Sequence, residues 1–101
     1  MVGEDVALPH ARIANIDAPI VGIGISKLGI LDSGSNNYIR VMFLLLSPQN
    51  SPKTHLGMLS LIAKMSRDDL WRKKVVGSNH SQDILKLIQE WEEDHQSPKN
   101  N

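Results

Sequence analysis

The longest uninterrupted apolar run in the chain, Val41 to Leu46, constrains the fold more than any other feature. It is far shorter than the ~20 residues a membrane-spanning helix needs, so it belongs to a soluble core. Its bulk sits within residues 39–46 (IRVMFLLL), and Pro48 follows. A short unbroken apolar segment between breakers reads as a strand buried on both faces, hence a central strand of a sheet. Such a strand needs partners. Residues 19–26 (PIVGIGIS) supply one, with β-branched Ile20, Val21, Ile23 and Ile25 and with Gly22 and Gly24 sharing a face. Between the two lies Asp32-Ser33-Gly34-Ser35-Asn36-Asn37, a dense group of turn formers that predicts an antiparallel pair. Residues 6–8 (VAL) suggest a short edge strand before Pro9.

The second half of the chain changes period. Pro48 and Pro52 bracket a loop, after which Thr54 is expected to N-cap a helix carrying Leu56, Leu59, Ile62, Ala63 and Met65. Asp68 and Asp69 suit the first turn of a short helix ending near Val76, with Gly77 as its C′ stop. Ser81, or Asn79, opens a last helix with a wide apolar stripe of Ile84, Leu85, Leu87, Ile88 and Trp91. Glu92 to Asn101 is polar, contains Pro98 and reads as a disordered tail. The order strand, strand, helix, short helix, helix predicts an α/β fold, with helices packed on a mixed sheet.

Composition narrows the function. The 101 residues allow one small domain, and with only four aromatic residues the core is expected to be mostly aliphatic. Eleven basic residues balance eleven acidic ones, which argues against nucleic acid or an anionic membrane as partner. No cysteine is present, which removes thiol nucleophiles, disulfides and cysteine-ligated zinc. No signal peptide or membrane span is visible, so a cytoplasmic location without direct membrane insertion is expected. Neither a nucleophile elbow nor a phosphate-binding glycine loop occurs, and two histidines alone do not make a metal site.

Four histidines remain. His95 lies in the polar tail, and His80 at a helix entrance. His10 and His55 differ from these. His10 follows Leu8-Pro9, a stiffened dipeptide, and His55 opens a helix directly after the buried strand, where sheet proteins place their sites. The plainer alternatives are a loop histidine bonded to backbone and a first-turn residue facing water.

The segment Val2-Gly-Glu-Asp-Val-Ala-Leu-Pro-His-Ala-Arg12 resembles the active-site segment of phosphotransferase-system enzyme IIA domains of the mannitol/fructose and nitrogen-regulatory type, which reads roughly I-G-x-G-[IV]-A-[IL]-P-H-[AG]. Ile39 to Pro48 is similar to the family's buried strand. Thr54-His55-Leu56 with Leu59, Leu61 and Ile62 is similar to its H-L-x-x-L-x-x-[IL] helix. The resemblance runs from residue 2 to about residue 91 and implies the enzyme IIA fold without its N-terminal elements. It implies a phosphoryl-acceptor domain over 1–91, with tail 92–101. It places the phosphoryl-accepting histidine on His10 and the second active-site histidine on His55.

Leu8, Thr54, Leu56 and Arg12 are the expected phosphate- and partner-binding neighbours. The resemblance further implies a phosphocarrier protein as donor, a permease or transporter component as acceptor, and no cofactor. Two departures accompany it. Asp5 stands where the pattern has its second glycine, putting a carboxylate near the expected phosphate site. The family's upstream helix, strand and arginine-bearing R-E segment have no counterpart, and Arg12 is not that arginine. The missing elements predict an uncovered face and self-association. The alternative reading is a non-catalytic regulatory or interaction domain of the same fold, or a piece of a permease or cation transporter.

Overall fold

The hairpin around residues 32–37 organises the molecule. The computed structural model describes residues 5–95. Its elements are β1 (Val6–Ala7), β2 (His10–Ile13), β3 (Ile20–Asp32), β4 (Asn37–Pro48), α1 (Pro52–Ser66), α2 (Asp69–Val76) and α3 (Ser81–Asp94). The expected antiparallel pair is present and longer than its apolar centre, running from Ile20 opposite Leu46 to Asp32 opposite Asn37. At the tip, the Asn36 N–H donates to Asp32 O at 2.8 Å, and Asn36 takes the left-handed conformation (φ 59°) that asparagine tolerates. The register slips between Ile25 and Ile30. Gly29 sits in this bulge at φ 87°, and a Cβ there would lie 2.9 Å from the Tyr38 Cβ, so only glycine fits.

β4 is the central strand, as expected. Val41 is opposite both Ile25 of β3 and Val6 of β1, and Leu45 is opposite both Val21 of β3 and His10 of β2. Thus β3 lines one edge of β4, and β1 and β2 line the other in tandem, both parallel to β4. Leu8-Pro9 separates the two short strands. The Pro9 carbonyl still accepts from the Leu45 N–H at 3.0 Å, so the edge stays attached across the break. The strand at His10–Ile13 departs from the expected stiffened loop, because pairing with Leu45 to Pro48 holds it extended.

One expectation about β4 is corrected. Its apolar run is not buried on both faces. Val41, Phe43, Leu45 and Ser47 are fully buried, whereas Met42 and Leu44 are 38% and 44% exposed. All three helices contribute to the core on the first face. Ile62 and Met65 of α1, Trp71 and Val75 of α2 and Trp91 of α3 close over Val6, Val41, Phe43 and Leu45. The other face carries Met42 and Leu44 beside Gly22 and Gly24, which leave the strands smooth and open. The core is aliphatic by number, yet three of the four aromatic residues sit in it. Phe43 stacks on Trp71 with centroids 6.0 Å apart.

The helix ends differ in detail from the expected ones. Ser51, not Thr54, is the N-cap of α1, and Pro52 occupies its first turn, where a missing N–H costs nothing. Thr54 is therefore an exposed first-turn residue. α2 begins as expected, with the Asp68 carboxylate accepting from the Trp71 N–H at 3.1 Å. The same carboxylate accepts from the Trp91 indole N–H at 3.1 Å, and the Trp71 indole donates to Leu87 O at 3.3 Å, which ties α3 to α2. Gly77 ends α2 as its C-cap in a right-handed conformation (φ −77°), not a left-handed one. His80 is the N-cap of α3 without a side-chain capping bond, and Ser81 is its first residue. α3 continues past Trp91 to Asp94, so Glu92 to Asp94 are helical rather than part of a disordered tail; the rest of that expected tail, beyond His95, lies outside the described residues. The His95 ring stacks on Trp91 at 4.0 Å, so this histidine is packed against α3 rather than only solvated.

Candidate functional site: two histidines at the end of the central strand

Strand parity places the first histidine. His10 and Arg12 are two apart on β2 and opposite Leu45 and Ser47, so both stand on the helix-bearing face of the sheet. No helix roofs this edge, and both residues are exposed. Helix α1 places the second histidine. Its N–H bonds back to Ser51 O at 3.1 Å, which fixes His55 in the first turn, over the C-terminal end of β4. The imidazoles of His10 and His55 meet with ring centroids 5.6 Å apart and planes tilted by 47°.

Each ring is held through Nδ1. The His10 Nδ1–H donates to Leu8 O at 2.7 Å. A carbonyl can only accept, so Nδ1 of a neutral His10 carries the proton and Nε2 presents its lone pair. His55 Nδ1 contacts the hydroxyl of Ser47, a fully buried residue at the end of the inward-facing row Val41, Phe43, Leu45. Ser47 was not among the expected site residues. The signal was present in the parity of that row, since Ser47 is its one polar member, but its link to His55 depends on the turn between β4 and α1.

The other expected neighbours are placed as follows. Leu8 contributes its carbonyl to His10, and its half-buried side chain packs on the core. Arg12 reaches the Gln49 carbonyl at 3.5 Å, in the loop that leads into α1. Thr54 and Leu56 flank His55 on the exposed surface of α1, with Leu56 65% exposed. Ser51 provides no side-chain cap, so the Lys53 and Thr54 N–H groups have no capping partner at this end of α1.

Asp5 is not beside the histidines. It precedes β1, and its carbonyl accepts from the Arg40 and Val41 N–H groups toward the other end of β4. Its carboxylate lies 3.1 Å from Arg72 Nε of α2, an ion pair without hydrogen-bond alignment. The expected carboxylate near the phosphate site is thus removed from it. An apolar groove of about 420 Å³ between β3, α1 and α3, lined by Ile23, Phe43, Met58 and Ile84 among others, also lies away from both imidazoles. No group of three metal-ligating side chains occurs among the described residues. None of their helices is long and apolar enough to cross a membrane.

Fold and site together define a small α/β domain with two histidine rings in contact at the C-terminal end of its central strand. The sequence pattern of the family described as "Phosphoenolpyruvate-dependent sugar phosphotransferase system, EIIA 2" matches residues 1–91, and the chain belongs to that family. Curated relatives include the nitrogen regulatory protein of Klebsiella oxytoca, 26% identical over 88% of this chain and 56% of that protein. Another is the fructose-specific EIIABC component of Bacillus subtilis, 26% identical over 86% of this chain and 14% of that protein. The crystal structure of nitrogen regulatory protein IIA-Ntr from Neisseria meningitidis superposes with a TM-score of 0.76 at 22% identity, covering 86% of this chain and 60% of that one. The fold is therefore the enzyme IIA fold. The chain spans little more than half the length of the nitrogen regulatory relatives and a small part of the fructose protein.

Proposed function

We propose that residues 1–91 act as a phosphoryl-acceptor domain, with His10 the nucleophile and His55 its supporting residue. The carrying observation is the meeting of the two imidazoles at 5.6 Å, with His10 Nδ1 committed to Leu8 O. In this reading a phosphohistidine on a small carrier protein is the donor. The His10 Nε2 lone pair attacks phosphorus in line, the Nε2–P bond forms, and the donor's N–P bond breaks with its electron pair returning to the donor ring. His10 keeps its Nδ1 proton, and the positive charge of the phosphorylated ring strengthens the Nδ1–H bond to Leu8 O. His55 and the free N–H groups of Lys53 and Thr54 face the oxygens of the transferred group, and Arg12 supplies the adjacent positive charge. Exposed Leu56 is the docking contact for the partner's apolar surface.

The phosphoryl group then passes to a permease or transporter component, or its presence signals to a regulatory partner. The domain works in the cytoplasm, free or as the cytoplasmic part of a transporter. Incubation of the full chain with phosphoenolpyruvate, enzyme I and a phosphocarrier protein tests this reading. Acid-labile label is expected on the wild type and none on His10→Ala. Equal labelling of both, or of neither, overturns it.

We also propose that a second copy of the chain covers the open sheet face. Met42 and Leu44 stand exposed there beside Gly22 and Gly24, with nothing within 4 Å of a Cβ built on Gly24. Sedimentation over a concentration series should show a dimer that Leu44→Asp abolishes; a monomer throughout removes this proposal.

A further inference from the structure

Ser47 is fully buried, and its hydroxyl meets Nδ1 of His55. A buried hydroxyl must donate its proton to something, because an unmet donor away from water is costly. Among the described residues the recorded side-chain partner of Ser47 Oγ is this ring nitrogen, and Ser47 is not among the buried groups left without a partner. Nδ1 of neutral His55 is therefore the acceptor, and its ring proton resides on Nε2. The reverse arrangement, with Nδ1–H donating to Ser47, strands the serine proton inside the core.

The two imidazoles of the site are thus held in opposite tautomers. A carbonyl, Leu8 O, keeps the proton of His10 on Nδ1 and leaves Nε2 as a lone pair. A hydroxyl, Ser47 Oγ, keeps the proton of His55 on Nε2 and leaves it a donor. We propose that Ser47 is a positioning residue that sets the His55 tautomer and so divides the labour between two otherwise equivalent rings. One becomes a nucleophile, and its neighbour a hydrogen-bond donor to the phosphoryl oxygens. The functional consequence rests on the phosphoryl-acceptor reading; the tautomer does not. The same contact orients the ring, because Ser47 is fully buried in the central strand β4.

The test is long-range 1H–15N correlation of the histidine rings in the full chain at about pH 8.5, well above the ordinary imidazole pKa of ~6.5. His55 is expected as the Nε2–H form and His10 as the Nδ1–H form. In Ser47→Ala the Nδ1–H fraction of His55 should rise at least about twofold, while Ser47→Thr, which keeps the hydroxyl, restores the wild-type pattern. His10 labelling by the phosphocarrier should slow roughly tenfold in Ser47→Ala and recover in Ser47→Thr, the low end of what a metal-bound imidazole loses with its orienting partner. Wild-type His55 found as Nδ1–H overturns the proposal, as does an unchanged His55 spectrum in Ser47→Ala. A chain that takes no label but shows the expected tautomers defeats the phosphoryl-acceptor reading and leaves the role of Ser47 in setting the ring intact.

Discussion

The two ends of β4 use polar groups in opposite ways. Toward its N-terminal end, Asp5 is engaged by Arg72, which also pairs with Asp69 and donates to Ser66 O at 2.6 Å. Charge there is spent on charge, and the arrangement anchors β1 to α2. At the C-terminal end, His10 and His55 each commit Nδ1 to a neighbour, and among the described residues Nε2 of neither ring has a hydrogen-bond partner. Both ends hang on the same strand and the same core, yet at one the charges face each other and at the other each ring keeps a nitrogen turned away from its Nδ1 partner. Paired charges tie the elements together at one end, and in the proposed reading the paired rings at the other end carry the chemistry.

The comparison can be broken outright at what the two ends share. Phe43 is fully buried between them and stacks on Trp71. Phe43→Ala should cost about 3–5 kcal/mol in urea unfolding and lower labelling of His10 in proportion to the unfolded fraction. A smaller change sharpens the contrast. Arg72 and Asp5 are largely buried, with 11% and 21% of their side chains exposed, while Asp69 is 75% exposed and contributes little. Arg72→Ala should cost about 2 kcal/mol, because it strands the Asp5 carboxylate. The His10 labelling rate of the folded protein should stay unchanged. A loss of labelling beyond the loss of folded protein would mean that the ends are coupled.

The smallest effect concerns the β3–β4 tip. The Ser35 hydroxyl donates to the Asp32 carboxylate at 2.6 Å, and this bond holds the Asp32 pKa below its ordinary value. A depressed carboxylate contributes its stabilisation above the unfolded pKa and loses it as pH falls through the folded value. Followed by the amide shifts of Gly34 and Ser35 in an acid titration, Asp32 should titrate below the usual range. Ser35→Ala should raise its midpoint, and neither change should reach the histidine pair.

Much of this arrangement was legible in the residues. The apolar run of β4, the turn cluster at 32–37 and the helical spacing after Pro52 are local signals, and each produced its element. Most of the misses share a nonlocal cause; the cap of α1 is the local one. β2 is a strand because His10 lies opposite Leu45, a pairing that the short, mixed segment HARI does not announce. Met42 and Leu44 looked buried because they are apolar, but burial depends on which elements cover a face. Thr54 lost the cap to Ser51 because Pro52 already fits a first helical turn. Asp5 is expected near the phosphate site because it stands at the pattern's second glycine, whereas the extended edge places it beside Arg40 and Val41, away from His10 opposite Leu45. The histidine pair is set apart by its local sequence and given its roles by motif resemblance; Ser47, the neighbour that distinguishes the two rings, needs the fold.

The central claim is that His10, through Nε2, takes the phosphoryl group. The most direct measurement is 31P and 1H–15N NMR of the full chain after incubation with phosphoenolpyruvate, enzyme I and a phosphocarrier protein. The expected product carries one phosphoryl group on Nε2 of His10, with the Nδ1 proton retained. A phosphoryl group on His55, on Nδ1 of His10, or on neither ring would contradict the account.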